Sequence, residues 1–449
     1  MAIDLPREIA LKTIYDINEK GAYSNIALNK QLMSSTFKDV DRAFITDLVY
    51  GTIKWKLTID YVISSFSSIK LKKISPWIIN ILRLGVYQIL YMDRIPESAA
   101  CNESVKLAKK FGHAASSGFV NGILRNVARN KSSITYPDKK KNPVMYLSVK
   151  YSHPEWLVEK WISDFGFDFT EDLLKSNNEV PDFTVRVNTL KTSKEDLMAE
   201  LAKNGIQAVE GKAVKEAIIL ENPGSFLNLS SYKLGHFQVQ DESSMLSAII
   251  LDPKPGELVI DVCSAPGGKA THMAQIMKNK GQIIARDVHE HKIDIINEAA
   301  KRLGISIIKA EVYDAVSVDE RLLEKADRVL VDAPCTGYGI IRKKPDIKWA
   351  RTLTDIKEIT DIQFKILCAA SKYVKPGGSI VYSTCTIEKE ENRDLVERFL
   401  AYNNDFEFEE FDQLLPEVLK EHSGKGYIEL YPNINGIDGF FIAKMKRKG

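Results

Sequence analysis

The amino-acid sequence predicts a multidomain protein with an all-α N-terminal bundle, a small α+β middle domain and a C-terminal α/β domain. Apolar residues recur at helical spacing through residues 1–130, where strand signals are scarce. From about residue 236, short β-branched runs alternate with amphipathic segments, which is typical of a parallel sheet with helices on both faces. The length of 449 residues also exceeds what one hydrophobic core usually supports, so several domains are expected.

The N-terminal bundle is expected to span residues 1–140. Two apolar faces with helical spacing carry this prediction: Ala43, Ile45, Leu48, Val49 and Ile53, and then Ile78, Ile81, Leu82, Val86 and Ile89. Residues 131–145 are polar, basic and interrupted by proline, so we interpret them as a linker.

The middle domain is expected to span residues 146–235 and to mix both kinds of element. Helical patterns lie near residues 155–163 and 193–204. Aromatic and β-branched runs predict strands at residues 183–187, 217–220 and 226–229.

The C-terminal domain, residues 236–449, is expected to have a Rossmann-like α/β fold. Strands are predicted at residues 258–262, 282–286, 306–310, 327–331, 379–383 and 440–445. Helices are predicted near residues 268–278, 290–303, 355–373 and 388–402.

Composition excludes several classes of protein. The five cysteines form no CxxC pair and have no chelate spacing, so neither a disulfide framework nor a metal site is expected. This use of cysteine fits a protein of the reducing cytoplasm. No uncharged apolar stretch reaches membrane-spanning length, and the N-terminus does not have the pattern of a signal peptide.

The charge is divided unevenly along the chain. Residues 1–141 carry 22 lysines and arginines against 12 acidic residues, whereas the remaining 308 residues carry 40 against 48. A basic N-terminal domain favours a polyanionic partner such as a nucleic acid, although a solvated charged face would give the same count.

Two cysteines follow apolar, β-branched runs in similar loops. Cys335 ends the run Val-Leu-Val-Asp-Ala-Pro-Cys, and Cys385 ends Ser-Ile-Val-Tyr-Ser-Thr-Cys. Each run reads as a buried strand followed by a turn, so both thiols are expected at the carboxyl edge of one sheet, where open α/β folds bind ligands. Lys269 or Arg342 is expected to raise the thiolate fraction.

The first strand of the C-terminal domain is followed by a glycine loop that matches neither the Walker A pattern nor GxGxxG. Gly267 and Gly268 let the backbone approach a ligand closely. Acidic residues follow four consecutive strands: Asp261, Asp287, Asp314 and Asp332. Such acids suit S-adenosylmethionine, which offers hydroxyl, amino and cationic groups, better than a polyphosphate. Helix capping is the competing interpretation of each aspartate.

Thiols beside a methyl donor suggest covalent catalysis on a pyrimidine. A thiolate that adds to C6 makes C5 a nucleophile towards the methyl group, and a base must then remove the C5 proton. The residues alone do not decide which of Cys335 and Cys385 attacks.

The chain resembles the Sun (Fmu) family of bacterial RNA cytosine-5 methyltransferases, which modify small-subunit ribosomal RNA. The resemblance lies in the order of its motifs: residues 261–272 (Asp-Val-Cys-Ser-Ala-Pro-Gly-Gly-Lys-Ala-Thr-His), 332–339 (Asp-Ala-Pro-Cys-Thr-Gly-Tyr-Gly), 341–349 (Ile-Arg-Lys-Lys-Pro-Asp-Ile-Lys-Trp) and 382–388 (Tyr-Ser-Thr-Cys-Thr-Ile-Glu). The helical domain is similar to the NusB antitermination-factor fold, through residues 49–55 and 121–126.

The resemblance implies a role for each matching residue. Cys385 would be the nucleophile, Cys335 the base or release group, and Asp332 the contact to N3 and N4 of the cytosine. The residues implied in binding S-adenosylmethionine are Cys263, Ser264, Ala265, Pro266, Gly267, Gly268, Lys269, Asp287, Asp314 and Asp332. We interpret Cys263 and Cys368 as packed residues and His272 as a helix surface residue.

The expected partner is 16S ribosomal RNA or a small-subunit assembly intermediate, bound by a cytoplasmic monomer without metal. The resemblance points to the cytosine numbered 967 in that RNA. Three alternatives stay open at this point: a non-catalytic, antitermination-like RNA-binding factor, a cytosine-5 methyltransferase acting on another RNA, and one acting on DNA.

Overall fold

The structure is a computed structural model that describes residues 4–33, 37–221, 223–224 and 226–449. The chain divides into two compact units. The helical unit comprises Met1–Glu179 and Ile341–Ala350, and the sheet unit comprises Val180–Ile340 and Arg351–Gly449. The three predicted domain boundaries stay predictions.

Residues up to Glu179 form helices in the described part of the helical unit. These helices are α1 (Leu5–Lys20), α2 (Ser24–Met33), α3 (Asp39–Lys54), α4 (Lys56–Phe66), α5 (Pro76–Tyr91), α6 (Glu97–Phe111), α7 (Ser116–Arg129), α8 (Pro143–Tyr151), α9 (Glu155–Phe165) and α10 (Phe167–Ser176). The apolar faces predicted from the sequence are buried in this unit, except that Ala43 is exposed. Within the predicted linker, α8 already begins at Pro143 and packs against α4, where the Thr58 hydroxyl donates to the Val149 carbonyl at 2.6 Å.

The sheet unit begins with a small antiparallel sheet in the order β2-β3-β1-β4. Its elements are β1 (Phe183–Val187), α11 (Lys194–Lys203), β2 (Gln207–Glu210), β3 (Ala217–Glu221), α12 (Ser230–Lys233) and β4 (Phe237–Val239). The predicted strand at residues 226–229 is wrong, because Phe226–Asn228 form a 3-10 turn. The ring of Phe226 packs between Phe183 and Tyr232, with centroids 5.1 Å from each, so its burial reflects one inward side chain rather than a strand face.

The remaining elements form the larger sheet and its covering helices. They are α13 (Glu242–Leu251), β5 (Leu258–Asp261), α14 (Gly268–Ile276), β6 (Gln282–Asp287), α15 (Glu290–Leu303), β7 (Ile308–Val312), β8 (Ala326–Asp332), α16 (Ile347–Ala350), α17 (Leu353–Ser371), β9 (Val374–Thr384), α18 (Arg393–Tyr402), β10 (Phe406–Phe408), β11 (Ser423–Gly424), β12 (Tyr427–Leu430), α19 (Pro432–Asn435) and β13 (Phe440–Arg447). Single 3-10 segments lie at Leu71–Lys73, Lys131–Ser133, Glu320–Leu322, Tyr338–Ile340, Asp412–Leu414 and Glu417–His422.

The order of the larger sheet is β11-β12-β13-β9-β8-β5-β6-β7, with β10 paired to β13. Strands β5 to β9 pair in parallel, as predicted, whereas β13 runs antiparallel to β9. The chain moves from β5 outward through β6 and β7, and then returns to place β8 on the other side of β5. This reversal creates a topological switch point between β5 and β8, where open α/β sheets bind ligands beyond the carboxyl ends of their strands.

Residues 341–350 leave the sheet unit and fold with the helical unit. The Asp346 carboxylate accepts from the Ser24 peptide N–H at 3.2 Å and from the Ser24 hydroxyl, at the start of α2. The Lys348 ammonium donates to the Lys54 carbonyl at 2.9 Å, and the Trp349 indole donates to the Ile53 carbonyl at 2.8 Å, at the end of α3. An acid at a helix start and a cation at a helix end each complement the helix dipole, which explains how this segment is held.

Candidate active site at the switch point of the sheet

The sulfur atoms of Cys335 and Cys385 lie 3.3 Å apart. Strands β8 and β9 are neighbours, and Asp332 pairs in register with Ser383. The loops that follow these two residues therefore begin side by side. As whole residues, both cysteines are intermediate in burial.

The two cysteine loops are joined to each other by their backbones. The Ala333 amide donates to the Ser383 carbonyl and the Gly339 amide to the Cys385 carbonyl, both at 3.0 Å. A Cβ on Gly339 would lie 2.0 Å from the carbonyl oxygen of Gly439, so only glycine fits there.

Asp332 is held from two sides beside the thiols. Its carboxylate accepts from the Lys269 ammonium at 2.6 Å and from the Ser383 hydroxyl at 2.9 Å. Lys269 also lies over the Phe440 ring, 5.1 Å from the centroid. These contacts fix the direction of the carboxylate, because each oxygen has its own donor.

The electrostatics of Cys335 contradict one expectation from the sequence. The hydrogen bond with Cys385 and then burial raise the pKa of the Cys335 thiol well above its ordinary value, and the negative charges of Glu391 and Asp332 add to the effect. Lys269 is paired with Asp332. The predicted activation by cations is therefore wrong for Cys335, whose thiol pKa is raised rather than lowered.

The loop after β5 has the features of a ligand cradle. Its turn is closed by the Gly267 amide, which donates to the Ser264 carbonyl at 2.7 Å, while Gly267 itself has a φ of +93°. The peptide bond between Ala265 and Pro266 is cis. Helix α14 begins directly after this turn and presents its first amides there.

Asp261 gives the most specific sign of a ligand. The side chain is fully buried, and the neighbouring Ser264 hydroxyl and Cys263 amide lie beside its carboxylate without good hydrogen-bond geometry. Burial raises the pKa of Asp261 to about 7. Buried polar atoms without well-formed hydrogen bonds are costly, so this loop lacks donors and acceptors that a bound molecule would supply. The ammonium and hydroxyl groups of S-adenosylmethionine fit such a site.

Asp287 and Asp314 lie at the same edge of the sheet but already have local contacts. Asp287 is nearly buried, accepts from the His289 amide at 3.1 Å and lies 3.4 Å from the Lys292 ammonium. Asp314 is exposed and accepts from the Val316 amide at 3.1 Å. Capping thus explains part of each residue's position, although free oxygen lone pairs remain for a ligand.

The other two cysteines of the sheet unit and His272 differ from one another in exposure. Cys263 is partly exposed, and burial together with the charges of neighbouring acids raises the pKa of its thiol. Cys368 lies on α17, also partly exposed. His272 is fully buried in α14, so its assignment to a helix surface is wrong. Its side chain lies near Arg186 of the small sheet, and the periodicity of α14 alone does not predict this neighbour.

The small sheet reaches the cradle through Arg186 of β1. This buried guanidinium donates to the Gly268 carbonyl at 2.8 Å and to the Thr271 hydroxyl at 3.1 Å, and it also bonds Gln240. Burial lowers the pKa of Arg186 to about 9. This contact could not be predicted from the sequence, because it joins residues 82 positions apart.

The segment after Cys385 also differs from expectation. The helix predicted at residues 388–402 begins only at Arg393, because Thr386, Glu391 and Asn392 bond inward instead. The buried carboxylate of Glu391 and the Thr386 hydroxyl both bond Thr336, the residue after Cys335. An acidic run is usually solvated, so only the sheet register could have revealed this burial.

Fold and site together define a Rossmann-like methyltransferase with a paired-thiol centre. Residues 248–446 match the family model described as 16S rRNA methyltransferase RsmB/F, residues 4–129 match the NusB family, and residues 153–226 match the ferredoxin-like domain of RsmF/B-like methyltransferases. These matches confirm the predicted fold class: a NusB-like helical domain, a small α+β domain and a methyltransferase domain.

The chain is 40% identical over 445 residues to the probable ribosomal RNA small subunit methyltransferase B of Bacillus subtilis, and the match covers 99% of both chains. It is similar to the solved structure of PH0851, with 30% identity, a TM-score of 0.81 and full coverage of both chains. It is also similar to NSun6 from Pyrococcus horikoshii, solved with SFG, with 26% identity, a TM-score of 0.58 and coverage of 65% of this chain and 97% of that one. The chain belongs to the ribosomal RNA small subunit methyltransferase B family.

Membership of this family confirms the resemblance drawn from the motifs and makes the chain a ribosomal RNA methyltransferase. The interpretation as a non-catalytic factor is not supported. In the part of the chain that the structure describes, no helix has the length and apolarity to cross a membrane. The same residues contain no group of three or more histidine, cysteine, aspartate or glutamate side chains suited to hold a metal ion.

Proposed function

We propose that the protein methylates C5 of a cytosine in 16S ribosomal RNA through a covalent adduct between Cys385 and C6. The contact of 3.3 Å between the sulfurs of Cys335 and Cys385, beside the anchored Asp332 carboxylate, carries this proposal. A single nucleophilic cysteine would need no second thiol at this distance.

The contact between the two sulfurs supports paired roles for the thiols. When one proton is shared by the pair, the thiol that keeps it donates to the thiolate of the other, and the family resemblance assigns the thiolate to Cys385. Cys385 is then free to form the bond to C6, and the electron pair of the C5–C6 double bond moves to C5. S-adenosylmethionine supplies the electrophilic methyl group when bound.

Release requires loss of the C5 proton and cleavage of the bond between Cys385 and C6. The Cys335 thiol is placed to donate a hydrogen bond to the departing Cys385 thiolate, which would stabilise the leaving group. The C5 proton passes to a base, either Cys335 after it has lost its own proton or a solvent water, and the electrons of the C5–H bond re-form the C5–C6 double bond as Cys385 leaves. Cys335 is therefore proposed as the base or the release group.

Asp332 is proposed to orient the cytosine. The fixed carboxylate can accept from the exocyclic N4 amino group while Lys269 and Ser383 hold it in place. N3 of cytosine and the Asp332 carboxylate both accept hydrogen bonds, so a contact between them would need a proton on one of the two.

The methyl donor is proposed to bind at the carboxyl edge of β5 to β8. The residues proposed for it are Cys263, Ser264, Ala265, Pro266, Gly267, Gly268, Lys269, Asp287, Asp314 and Asp332. The buried carboxylate of Asp261, which lacks well-formed hydrogen bonds, supports this location, and the related NSun6 structure contains SFG, an S-adenosylmethionine analogue.

The substrate is proposed to be 16S ribosomal RNA or a small-subunit assembly intermediate, modified at the cytosine numbered 967, in the cytoplasm where ribosomes are assembled. The basic charge of residues 1–141 supports an RNA partner. Action of a monomer stays a prediction.

The direct test is transfer of labelled methyl from S-adenosylmethionine to unmodified 16S ribosomal RNA. We expect 5-methylcytosine at a single position with the wild-type protein and none above background with Cys385→Ala. Absence of 5-methylcytosine with wild type, or its formation on another RNA or on DNA alone, would overturn the proposal.

A further inference from the structure

The two cysteine loops contact each other at a second point, next to the sulfur pair. Thr336 follows Cys335, Thr386 follows Cys385, and their hydroxyl oxygens lie 2.8 Å apart. Both threonine side chains are buried, at 2% and 0% exposure. The spacing of the sulfurs is therefore set partly by a contact that a bound substrate would not touch.

Glu391 supports the contact between the two threonines through hydrogen bonds. Its fully buried carboxylate accepts from the Thr336 peptide N–H at 3.0 Å, from the Thr336 hydroxyl, and from the Gln363 amide at 2.8 Å. The same Gln363 amide donates to the Pro334 carbonyl at 2.9 Å. The residues on both sides of Cys335 are thus bonded to one buried group and its neighbour.

The charge environment of Glu391 is unusual for a structural carboxylate. No lysine or arginine bonds it in the described residues, and burial raises the pKa of Glu391 to about 7. The titratable groups that face it are Cys335 and Tyr338 from the loop after β8, Tyr382 from β9, and Glu388 from its own segment. Helix α17 contributes only the neutral Gln363. When Glu391 is ionised, its charge disfavours a thiolate at Cys335.

We infer that Glu391 is a positioning residue for the thiol pair, which clamps the two cysteine loops through Thr336 and Thr386 and places a buried carboxylate beside the loop that carries Cys335. Its effect on methyl transfer rests on the proposed function, but its effect on the thiols does not. The carboxylate of Glu391 bonds Thr336 and Gln363, so it acts on the thiols through the loop residues next to them.

The first test measures the thiols without RNA or methyl donor. The wild type, Glu391→Gln and the control Glu397→Gln are alkylated with iodoacetamide across a pH series, and each cysteine is quantified by peptide mass spectrometry. Glutamine can accept both N–H donors and donate to the Thr336 hydroxyl, so it removes the charge and keeps the clamp. Glu397 is a half-exposed glutamate on α18.

We expect Glu391→Gln to lower the pH midpoint of Cys335 alkylation by roughly half a unit, because a nearby negative charge is lost. Glu397→Gln should leave the midpoint unchanged. An unchanged Cys335 midpoint in folded Glu391→Gln protein would overturn the inference. Thermal melting verifies that each variant is folded.

The second test separates positioning from folding through kinetics. Glu391→Ala and Thr386→Val both break the clamp, and we expect each to lower kcat at least tenfold while KM for S-adenosylmethionine changes less than about twofold. Glu391→Gln should recover most of kcat relative to Glu391→Ala. A normal kcat in Glu391→Ala, or a loss confined to KM, would overturn the inference. If the wild type transfers no methyl group, the proposed function fails, whereas alkylation still decides the role of Glu391.

Discussion

The sulfur of Cys335 lies 3.3 Å from the sulfur of Cys385, although 50 residues separate them in the chain. The register between β8 and β9 creates this contact, because Asp332 pairs with Ser383 and the loops after them start together. The Asp332 carboxylate, bonded to Lys269 and Ser383, lies at the same edge. Two thiols and one anchored carboxylate therefore meet at one edge of the sheet.

Asp332→Asn should lower kcat about 100-fold without unfolding the protein. The substitution replaces the charged carboxylate with a neutral amide, so the largely buried Lys269 ammonium loses its ion-pair partner. Steady-state kinetics on ribosomal RNA measure the effect. The matched control is Asp361→Asn, an exposed aspartate on α17 that lies 3.8 Å from Arg398. Equal activity of both variants would remove Asp332 from the mechanism.

Gly267→Ala should weaken binding of S-adenosylmethionine. An alanine with a φ of +93° is strained by about 1–2 kcal/mol, and its Cβ would lie 3.3 Å from the Ile296 Cα. The control is Gly377→Ala, which has a φ of +79° and open space around the new Cβ. Both variants should lose similar stability, and calorimetry should show weaker binding only for Gly267→Ala. Unchanged binding in that variant would place the methyl donor elsewhere.

Glu391→Gln should change how stability depends on pH. The pKa of Glu391 in the folded protein is about 7, above its ordinary value of 4.5, so its contribution is full below about pH 4.5 and is lost as pH rises towards 7. Relative to wild type, Glu391→Gln should therefore gain about 1–3 kcal/mol in the free energy of unfolding between pH 4.5 and 8. Urea denaturation at several pH values measures this difference. Parallel pH curves for the two proteins would contradict the raised pKa of this buried carboxylate.

The strand ends that build the site could be predicted because each follows a local signal. The apolar runs before Asp261, Asp332 and Cys385 show where strands stop, and strand–helix alternation places those ends at one edge. The helix faces of the N-terminal domain follow from periodicity in the same way, with Ala43 as the exposed exception.

The features that the sequence did not predict depend on partners far along the chain. Glu391 is buried because Thr336 and Gln363 donate to it, and Arg186 is buried against a carbonyl of α14. Phe226 packs against two aromatic rings in a turn rather than in a strand. Residue type and spacing describe a segment's own faces, whereas these residues are placed by contacts across the sheet.

The division of roles between the two thiols is tested most directly by trapping the covalent intermediate. Each cysteine variant is incubated with 16S ribosomal RNA and S-adenosylmethionine, and denaturing gels detect protein bound covalently to RNA. Cys335→Ala should accumulate the adduct, because Cys385 can attack but its release is slowed. Cys385→Ala should form none. An adduct in Cys385→Ala and none in Cys335→Ala would reverse the roles, and no adduct in either variant would contradict covalent catalysis by this pair.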